Sequence, residues 1–349
     1  MHKFDYSFLN NGLLPAQMVN LTANIASLKT AAGFRKIKHL QVFTELEAVA
    51  RVQSIKSSNA IEGIVTSDER IVAIVNQNSA PLNHKEAEIA GYRDALSQIH
   101  SNHSDIDFRE RDILRLHEIM MELAGDELAG KYKEDDNVIL EQDAQGNRRV
   151  RFRPTSAQDT AQAMEQLELA YMAARADSNI NQLLLIPCVI LDFLCIHPFR
   201  DGNGRMSRLL SLLLLYKNGY DAGKYVSFEE QINNYKALYY QSLQQSSVGW
   251  HENQNDYFPF MENFLSVLYM CYKELDKRFA VVHGQKITKK ARIEATVLNS
   301  LTPLSKSDIC GIHPDVSPTT VEAVLGQMIR TGSIRRVGQG RASRYISNH

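Results

Sequence analysis

The stretch "HPFRDGNGRMSR", residues 197–208, lies between "LLLIPCVILDFLCI" (residues 183–196) and "LLSLLLLY" (residues 209–216). Two apolar runs of this kind predict two buried helices joined by a polar turn. Gly202 and Gly204 permit a tight turn that brings backbone N–H groups to a common point. The chain is expected to enter a helix at Arg205, so unpaired N–H groups and the positive end of the helix dipole face that point. Such a place suits phosphate. Arg205 and Arg208 are three apart and share a helix face, where they could clamp further phosphate oxygens. Asp201 would repel a polyphosphate unless it holds Mg²⁺, which bridges phosphate oxygens and takes only one or two protein carboxylates. His197 has a side chain whose ordinary pKa is near neutrality, and it is expected to accept a proton from an attacking hydroxyl. Together these parts describe a site for phosphoryl or nucleotidyl transfer to a hydroxyl.

The sequence excludes several rival chemistries. It contains no G-x-x-x-x-G-K-[ST] and no G-x-G-x-x-G after a strand. "HEIMM" and "HENQN" lack the second histidine of a zinc-protease helix. The cysteines Cys188, Cys195, Cys271 and Cys310 have no C-x-x-C spacing, and the first two are expected in the core. With 349 residues, 44% hydrophobic and 23% charged, the chain is expected to form two or three globular domains. No apolar run approaches the roughly 18 residues of a membrane span. "MHKFDYSFLNNG" lacks a secretory core, so a cytoplasmic protein with no membrane partner is expected.

Up to residue 280 the pattern is helical, with apolar residues three and four apart in "LQVFTELEAVARVQSI", "EAEIAGYRDALSQIH" and "ERDILRLHEIMMELA". Residues 134–154 break it. There "NVIL" and "RVRF" flank the polar turn "EQDAQGNR", with Val150 and Phe152 alternating against Arg149, Arg151 and Arg153. This predicts a two-stranded hairpin, exposed because of its arginines. The character changes again near residue 285. Helical "RIEATVLNSL", "SKSDICGI" and "SPTTVEAVLGQMIRTG" precede two short strands around Gly338 and Gly340, the order of a winged helix-turn-helix. Residues 286–349 carry ten Lys/Arg against four Asp/Glu, or +6, which leaves 29 against 36, or −7, for the rest. The near-neutral total of −1 conceals this segregation.

"HPFRDGNGRMSR" resembles the signature H-x-F-x-[DE]-G-N-G-R-x-x-R of the Fic (filamentation induced by cAMP) family, with every fixed position present. The resemblance implies a mostly α fold: a Fic-type helical core with a small β-hairpin flap, an N-terminal helical region and a C-terminal winged helix-turn-helix. The expected domains are residues 1–104, 105–280 and 285–349. It further implies a protein adenylyltransferase that moves AMP from ATP to a Ser, Thr or Tyr hydroxyl of a target protein and releases pyrophosphate. His197 then resembles the general base and Asp201 the Mg²⁺ ligand. Gly202, Asn203 and Gly204 resemble the anion hole, Arg205 a phosphate contact, Arg208 the γ-phosphate contact, and Phe199 the core anchor of the loop.

"SNAIEG", from Ser58 to Gly63, is similar to the family's inhibitory motif [ST]-x-x-x-E-[GN]. By that resemblance Glu62, read as lying in a helix, pairs with Arg208 and excludes the ATP γ-phosphate. The hairpin at 134–154 resembles the flap that docks a target segment by β-augmentation, and self-modification is also expected. "NNYKALYYQSL" resembles the nucleoside-pocket helix. Tyr239 and Tyr240 are adjacent and expected to face different sides, so only one would stack on adenine. A homodimer is common in the family. Two further readings stand beside transfer. One is a de-AMPylating hydrolase in which Glu62 orients water. The other is a DNA-binding regulator acting through residues 286–349, which could equally dock a protein.

Overall fold

The computed structural model describes residues 2–142, 148–283, 289–298, 300, 303–313, 316–338, 340 and 343–348. The expected hairpin turn and the expected domain start near residue 285 lie at least partly outside those residues. The fold is mostly α, with fifteen α-helices among the described residues. The first seven are α1 (Phe8–Asn11), α2 (Ala16–Lys38), α3 (Leu40–Ile61), α4 (Asp68–Asn76), α5 (His84–Asn102), α6 (Glu110–Met121) and α7 (Ala157–Ala176). Strands β1 (Ile139–Gln142) and β2 (Arg148–Phe152) precede α7. There follow α8 (Gln182–Ile196), α9 (Asn203–Lys217), α10 (Phe228–Asn234), α11 (Lys236–Ser247) and α12 (Phe258–His283). The C-terminal elements are α13 (Lys289–Leu298), β3 (Leu304–Ser305), α14 (Lys306–Ile312), α15 (Pro318–Arg330), β4 (Ile334–Val337) and β5 (Arg344–Ser347). No helix is long and apolar enough to cross a membrane, among the described residues.

The chain divides into two compact units, residues 1–66 with 74–275, and residues 67–73 with 276–349. In the first unit α8 is the central helix. Every residue from Leu183 to Ile196 is buried, as a helix apolar on all sides requires. Pro187 sits inside this helix without ending it. The buried Asp192 is compensated by hydrogen bonds from Tyr6 at 2.7 Å, Trp250 at 2.7 Å and Tyr257 at 3.0 Å. Burial nonetheless pushes its carboxyl up to about 7. Helix α9 is nearly as enclosed, with Met206 to Tyr216 all buried. Two adjacent buried helices fix the loop between them, residues 197–202, at the surface of a rigid core.

The second unit has its own apolar cluster, in which Ile293, Val297, Ile309, Val321, Leu325 and Ile334 are buried. Its three strands form an antiparallel sheet in the order β3-β5-β4. Ser305 and Asp308 form a capping box at the start of α14, and Ser317 caps α15 with Pro318 at its first turn. The helices and the β4–β5 hairpin follow the order read from the sequence, with β3 added.

Candidate active site

The loop after α8 holds itself together. His197 ends α8 in the left-handed region at φ 52°, its N–H donating to Phe193 O at 2.9 Å. Asn203 closes the loop with two bonds to one residue: Phe199 N–H donates to Asn203 Oδ1 at 2.9 Å, and Asn203 Nδ2 donates to Phe199 O at 2.7 Å. Gly202, at φ 80°, supplies the left-handed residue that turns the chain into α9. The helix starts at Asn203, two residues earlier than the expected entry at Arg205. The side chain of Asn203 is therefore spent on the loop. Only its backbone N–H, with those of Gly204 and Arg205, remains at the helix N-terminus for an anion.

Residues that carry no motif signal support this loop from beneath. The His117 ring of α6 stacks on the buried Phe199 ring, with centroids 3.7 Å apart and planes at 2°. Gly130 N–H donates to His117 Nδ1 at 3.0 Å, which leaves Nε2 to donate to Asp201 O at 3.1 Å. Lys133 donates from Nζ to His197 O at 3.0 Å and Ile196 O at 3.2 Å, placing a cation at the negative end of α8. Burial pulls its ammonium down to about 8. His117 sits on the apolar stripe Ile113, Leu116, Met120 of α6. A polar residue on such a stripe is the one signal that could have marked it.

His197 and the helix N-terminus open onto a cavity of about 500 Å³. The cavity wall includes Glu62, Arg208, Gly202 to Gly204, Asp201, Tyr239 and Tyr240, together with residues of the β1–β2 hairpin. Burial holds the His197 imidazole down at about 4, so it is neutral and able to accept a proton at neutral pH. Nδ1 lies 3.3 Å from Leu194 O and donates to it, which directs the basic lone pair to Nε2. Asp201 has an exposed side chain on the cavity rim, and one of its oxygens accepts from Gly202 N–H at 2.6 Å. An exposed carboxylate beside a helix N-terminus is of the kind that fits Mg²⁺, which takes most of its ligands from phosphate and water.

The two arginines of the stretch have different fates. Arg208 is buried and donates from Nε to Ser58 Oγ at 2.8 Å, and from Nη2 to Ser58 O at 2.9 Å and Glu62 Oε1 at 2.8 Å. Arg205 is buried too, but its guanidinium is absent from the cavity wall. It pairs with Glu88 of α5 at 2.7 Å and lies 3.7 Å from Asp201. Arg205 Nη2 is thus engaged by Glu88, while its Nε and Nη1 are buried without an acceptor among the described residues.

Glu62 is not inside a helix, contrary to the reading from sequence. Helix α3 ends at Ile61 and Glu62 is its cap residue. Gly63 follows at φ 78°, with Gly63 N–H donating to Ala60 O at 3.1 Å and Ile64 N–H to Asn59 O at 3.0 Å. This is a Schellman ending, which needs a left-handed residue and so favours Gly after Glu. Lys236 of α11 adds a bond from Nζ to Ile61 O at 2.5 Å. The carboxylate then reaches over Gly204, where any Cβ would overlap it. Tyr239 and Tyr240 also depart from expectation. Both line the cavity, with rings 5.6 Å apart and edge-on at 79°.

Residues 107–215 match the family model described as the Fic/DOC family. A Fido domain-containing protein of Dictyostelium discoideum is 31% identical over 85 residues, which cover 24% of this chain and 57% of that protein. A Fic family protein from Desulfovibrio desulfuricans G20 superposes with a TM-score of 0.62 at 22% identity, covering 96% of this chain and 97% of its own. A Fic domain containing signaling protein from Bacteroides thetaiotaomicron superposes at 0.56 with 20% identity, covering 78% and 99%. Fic-1 from C. elegans does so at 0.56 with 17% identity, covering 75% and 73%. These structural likenesses are likenesses of fold.

Proposed function

From a chain that carries a Fic/DOC family domain at residues 107–215, a family whose members are usually transferases acting on proteins, we propose a self-inhibited protein adenylyltransferase. It moves AMP from ATP to a Ser, Thr or Tyr hydroxyl of a target protein. The observation that carries this reading is the meeting of a neutral His197, the N-terminus of α9 and the Glu62–Arg208 pair on one cavity wall.

In the reaction His197 Nε2 takes the proton of the target hydroxyl as its oxygen attacks the α-phosphorus. The new P–O bond forms while the bond from the α-phosphorus to the pyrophosphate oxygen breaks, and pyrophosphate leaves. The N–H groups of Asn203, Gly204 and Arg205 receive the charge that develops on the transferred phosphate. Mg²⁺, when bound, would neutralise phosphate oxygens, and Asp201 is the residue placed to hold it. The hairpin at residues 134–154 offers a sheet of two strands, whose outer edge could accept a target segment as a third.

Glu62 and a γ-phosphate are both anions that need the Arg208 guanidinium. While Glu62 holds it, nucleotide can enter only without its γ-phosphate contact. A misplacement of about 1 Å at the reacting atom can cost 10²-fold, so the pairing suffices to silence transfer. Incubation with ATP labelled in the α-phosphate and Mg²⁺ tests this. Glu62→Gly should label itself or a lysate protein at least about tenfold faster than the wild-type chain, since Arg208 is released. Arg208→Ala added to Glu62→Gly should abolish that gain. Equal labelling by wild type and Glu62→Gly across ATP concentrations would overturn the inhibitory role. Faster loss of AMP from a pre-labelled target in the wild type would favour the hydrolase instead.

The C-terminal unit is proposed to be a winged helix with α15 as its recognition helix and β4–β5 as its wing. Its +6 balance over residues 286–349 supports a polyanionic partner such as DNA. Glu322 on α15, paired with Lys306 at 2.9 Å, supports a protein partner instead.

A further inference from the structure

The β1–β2 ladder contains one irregular step. Ile139 pairs with Phe152 and Leu140 with Val150, so one residue on β1 spans two on β2. Arg151 is the extra residue, a β-bulge. In a regular ladder, consecutive residues point to opposite faces, and Arg151 would face solvent if Phe152 faced inward. A bulge re-aims side chains. Here it brings Arg151 and Phe152 to the same cavity wall, while Val150 remains exposed. The alternation of arginines outward against Val150 and Phe152 inward, expected from the sequence, is broken at this residue.

Among the described residues, four cationic Arg and Lys side chains line the cavity: Arg151, Arg200, Arg208 and Lys236. Three are engaged: Arg200 with Asp126, Arg208 with Glu62 and Ser58, and Lys236 with Ile61 O. Arg151 makes no hydrogen bond or ion pair with any described residue, and its Nε is buried without an acceptor. Buried donors are normally satisfied, so an orphan on a cavity wall marks a place for a ligand. The side chain lies close enough for its charge to act on His197, Cys195, Tyr239 and Tyr240. It therefore shares one cavity with the aromatic wall and the candidate base.

We propose that Arg151 binds the α-phosphate of the nucleotide from the hairpin side, opposite the N-terminus of α9. The inference rests on the transferase reading, and deepens it by adding a substrate contact. A nucleotide whose base lies on Tyr239 and Tyr240, and whose reacting phosphorus faces His197, passes its α-phosphate beside Arg151. The guanidinium gives up no proton; it donates hydrogen bonds to oxygens that gain charge as the pyrophosphate bond breaks. A carboxylate of a target segment fits less well, because Arg151 faces the cavity shared with the tyrosines and not the outer strand edge. Glu62 does not occupy Arg151. The contact is thus available in the inhibited state, where the γ-phosphate contact is not.

Calorimetric titration of the full chain with AMP and with adenosine tests the contact, because the two ligands differ by the α-phosphate alone. Arg151→Met should weaken AMP binding by about tenfold or more, the worth of a charged hydrogen bond, and leave adenosine binding unchanged. Arg151→Lys should keep most of the AMP affinity. In the Glu62→Gly chain, Arg151→Met should lower the labelling rate by about 10²-fold, as loss of a charge-stabilising donor does. Circular dichroism and the thermal midpoint should show both variants folded. Equal AMP affinity in Arg151→Met and wild type, an equal loss for adenosine, or no AMP binding to the wild type at millimolar concentration overturns the proposal. If AMP binding depends on Arg151 but Glu62→Gly transfers no AMP, the transferase reading fails and the phosphate contact stands.

Discussion

The loop between α8 and α9 and the β1–β2 hairpin face one cavity, yet they use their polar groups in opposite ways. In the loop most polar groups have a partner within the protein: Asn203 with Phe199, His117 with Asp201 and Gly130, Lys133 with the end of α8, and Arg205 with Glu88 through Nη2, though its Nε and Nη1 have none. In the hairpin Arg151 has none. Leu140 and Val150 are exposed at 49% and 44%, so Phe152, stacked on His251, supplies most of the apolar anchoring described for the strands. The loop is built to hold a shape, the hairpin to meet something. Substitutions in the loop should therefore cost stability or chemistry, whereas substitutions in the hairpin should cost binding.

The largest effect is expected where the loop stops being structural. His197→Ala in the Glu62→Gly chain should lower AMP transfer by about 10²–10⁴-fold, the usual contribution of a general base. Nucleotide affinity should hardly change, because the imidazole is not among the phosphate ligands. Single-turnover labelling with parallel nucleotide titration separates the two. Retention of the Glu62→Gly transfer rate would remove His197 from the chemistry, and would make the loop as passive as its bonding suggests.

Asn203→Ala tests the structural half of the comparison and should have a smaller, thermodynamic effect. It leaves the buried N–H of Phe199 without its partner and the C=O with Asn137 Nδ2 alone, at about 1–3 kcal/mol. For a unit of this size that lowers the thermal midpoint by several degrees. Arg151→Met, by contrast, should leave the midpoint in place, because it removes no internal bond. Calorimetry of both variants decides the matter. If Arg151→Met destabilises as much as Asn203→Ala, the hairpin is held by contacts like those of the loop and the contrast fails.

The same contrast explains what could be read in advance. The loop was legible because its chemistry is local: an imidazole, a carboxylate and two glycines within twelve residues, bracketed by runs apolar enough to force two buried helices. Glu62 was legible as a residue through "SNAIEG", but not as a helix cap. The helix periodicity gives no stop before Gly63, and only the Schellman bonds reveal where α3 ends. Glu88, Lys133 and His117 were silent. Each finds a partner through tertiary packing: Lys133 at Ile196, His117 at Asp201 and Glu88 at Arg205, and no spacing rule connects them. Arg151 was misdirected by the period of two, which holds for a regular strand and fails at a bulge. Arg205 was read by its spacing from Arg208 as a second phosphate clamp, and that spacing gave no sign of its pairing with Glu88. Sequence pattern reports which residues are present and which face of an ideal element they share. It does not report which partner a charged group meets when the element is packed.

The smallest effect concerns the proton and joins the two regions. His197 sits near 4 because burial disfavours its charged form, and the neighbouring cations Lys133 and Arg151 act in the same direction. Glu62 and the Leu194 carbonyl oppose them. A base of ordinary pKa, about 6.5, would be protonated below neutrality, and activity would fall roughly tenfold between pH 7.5 and 5.5. With His197 held low, the Glu62→Gly chain should lose less than about twofold over that range, and its acid limb should lie below pH 5. Removing Glu62 takes away an anion that raised the pKa, so this variant can only move the limb lower. Lys133→Met added to the Glu62→Gly chain acts oppositely: it removes a cation that lowered the pKa and should move the limb upward. Taking the ratio of the two variants' rates at each pH cancels any titration of the nucleotide itself. The ratio should be flat near pH 7.5 and widen as pH falls. A ratio that is constant down to pH 5 would mean that Lys133 supports the loop only through its bonds to the end of α8, with no influence on the proton. An acid limb near 6.5 in the Glu62→Gly chain would mean that His197 is more open to water than its place beneath the hairpin indicates.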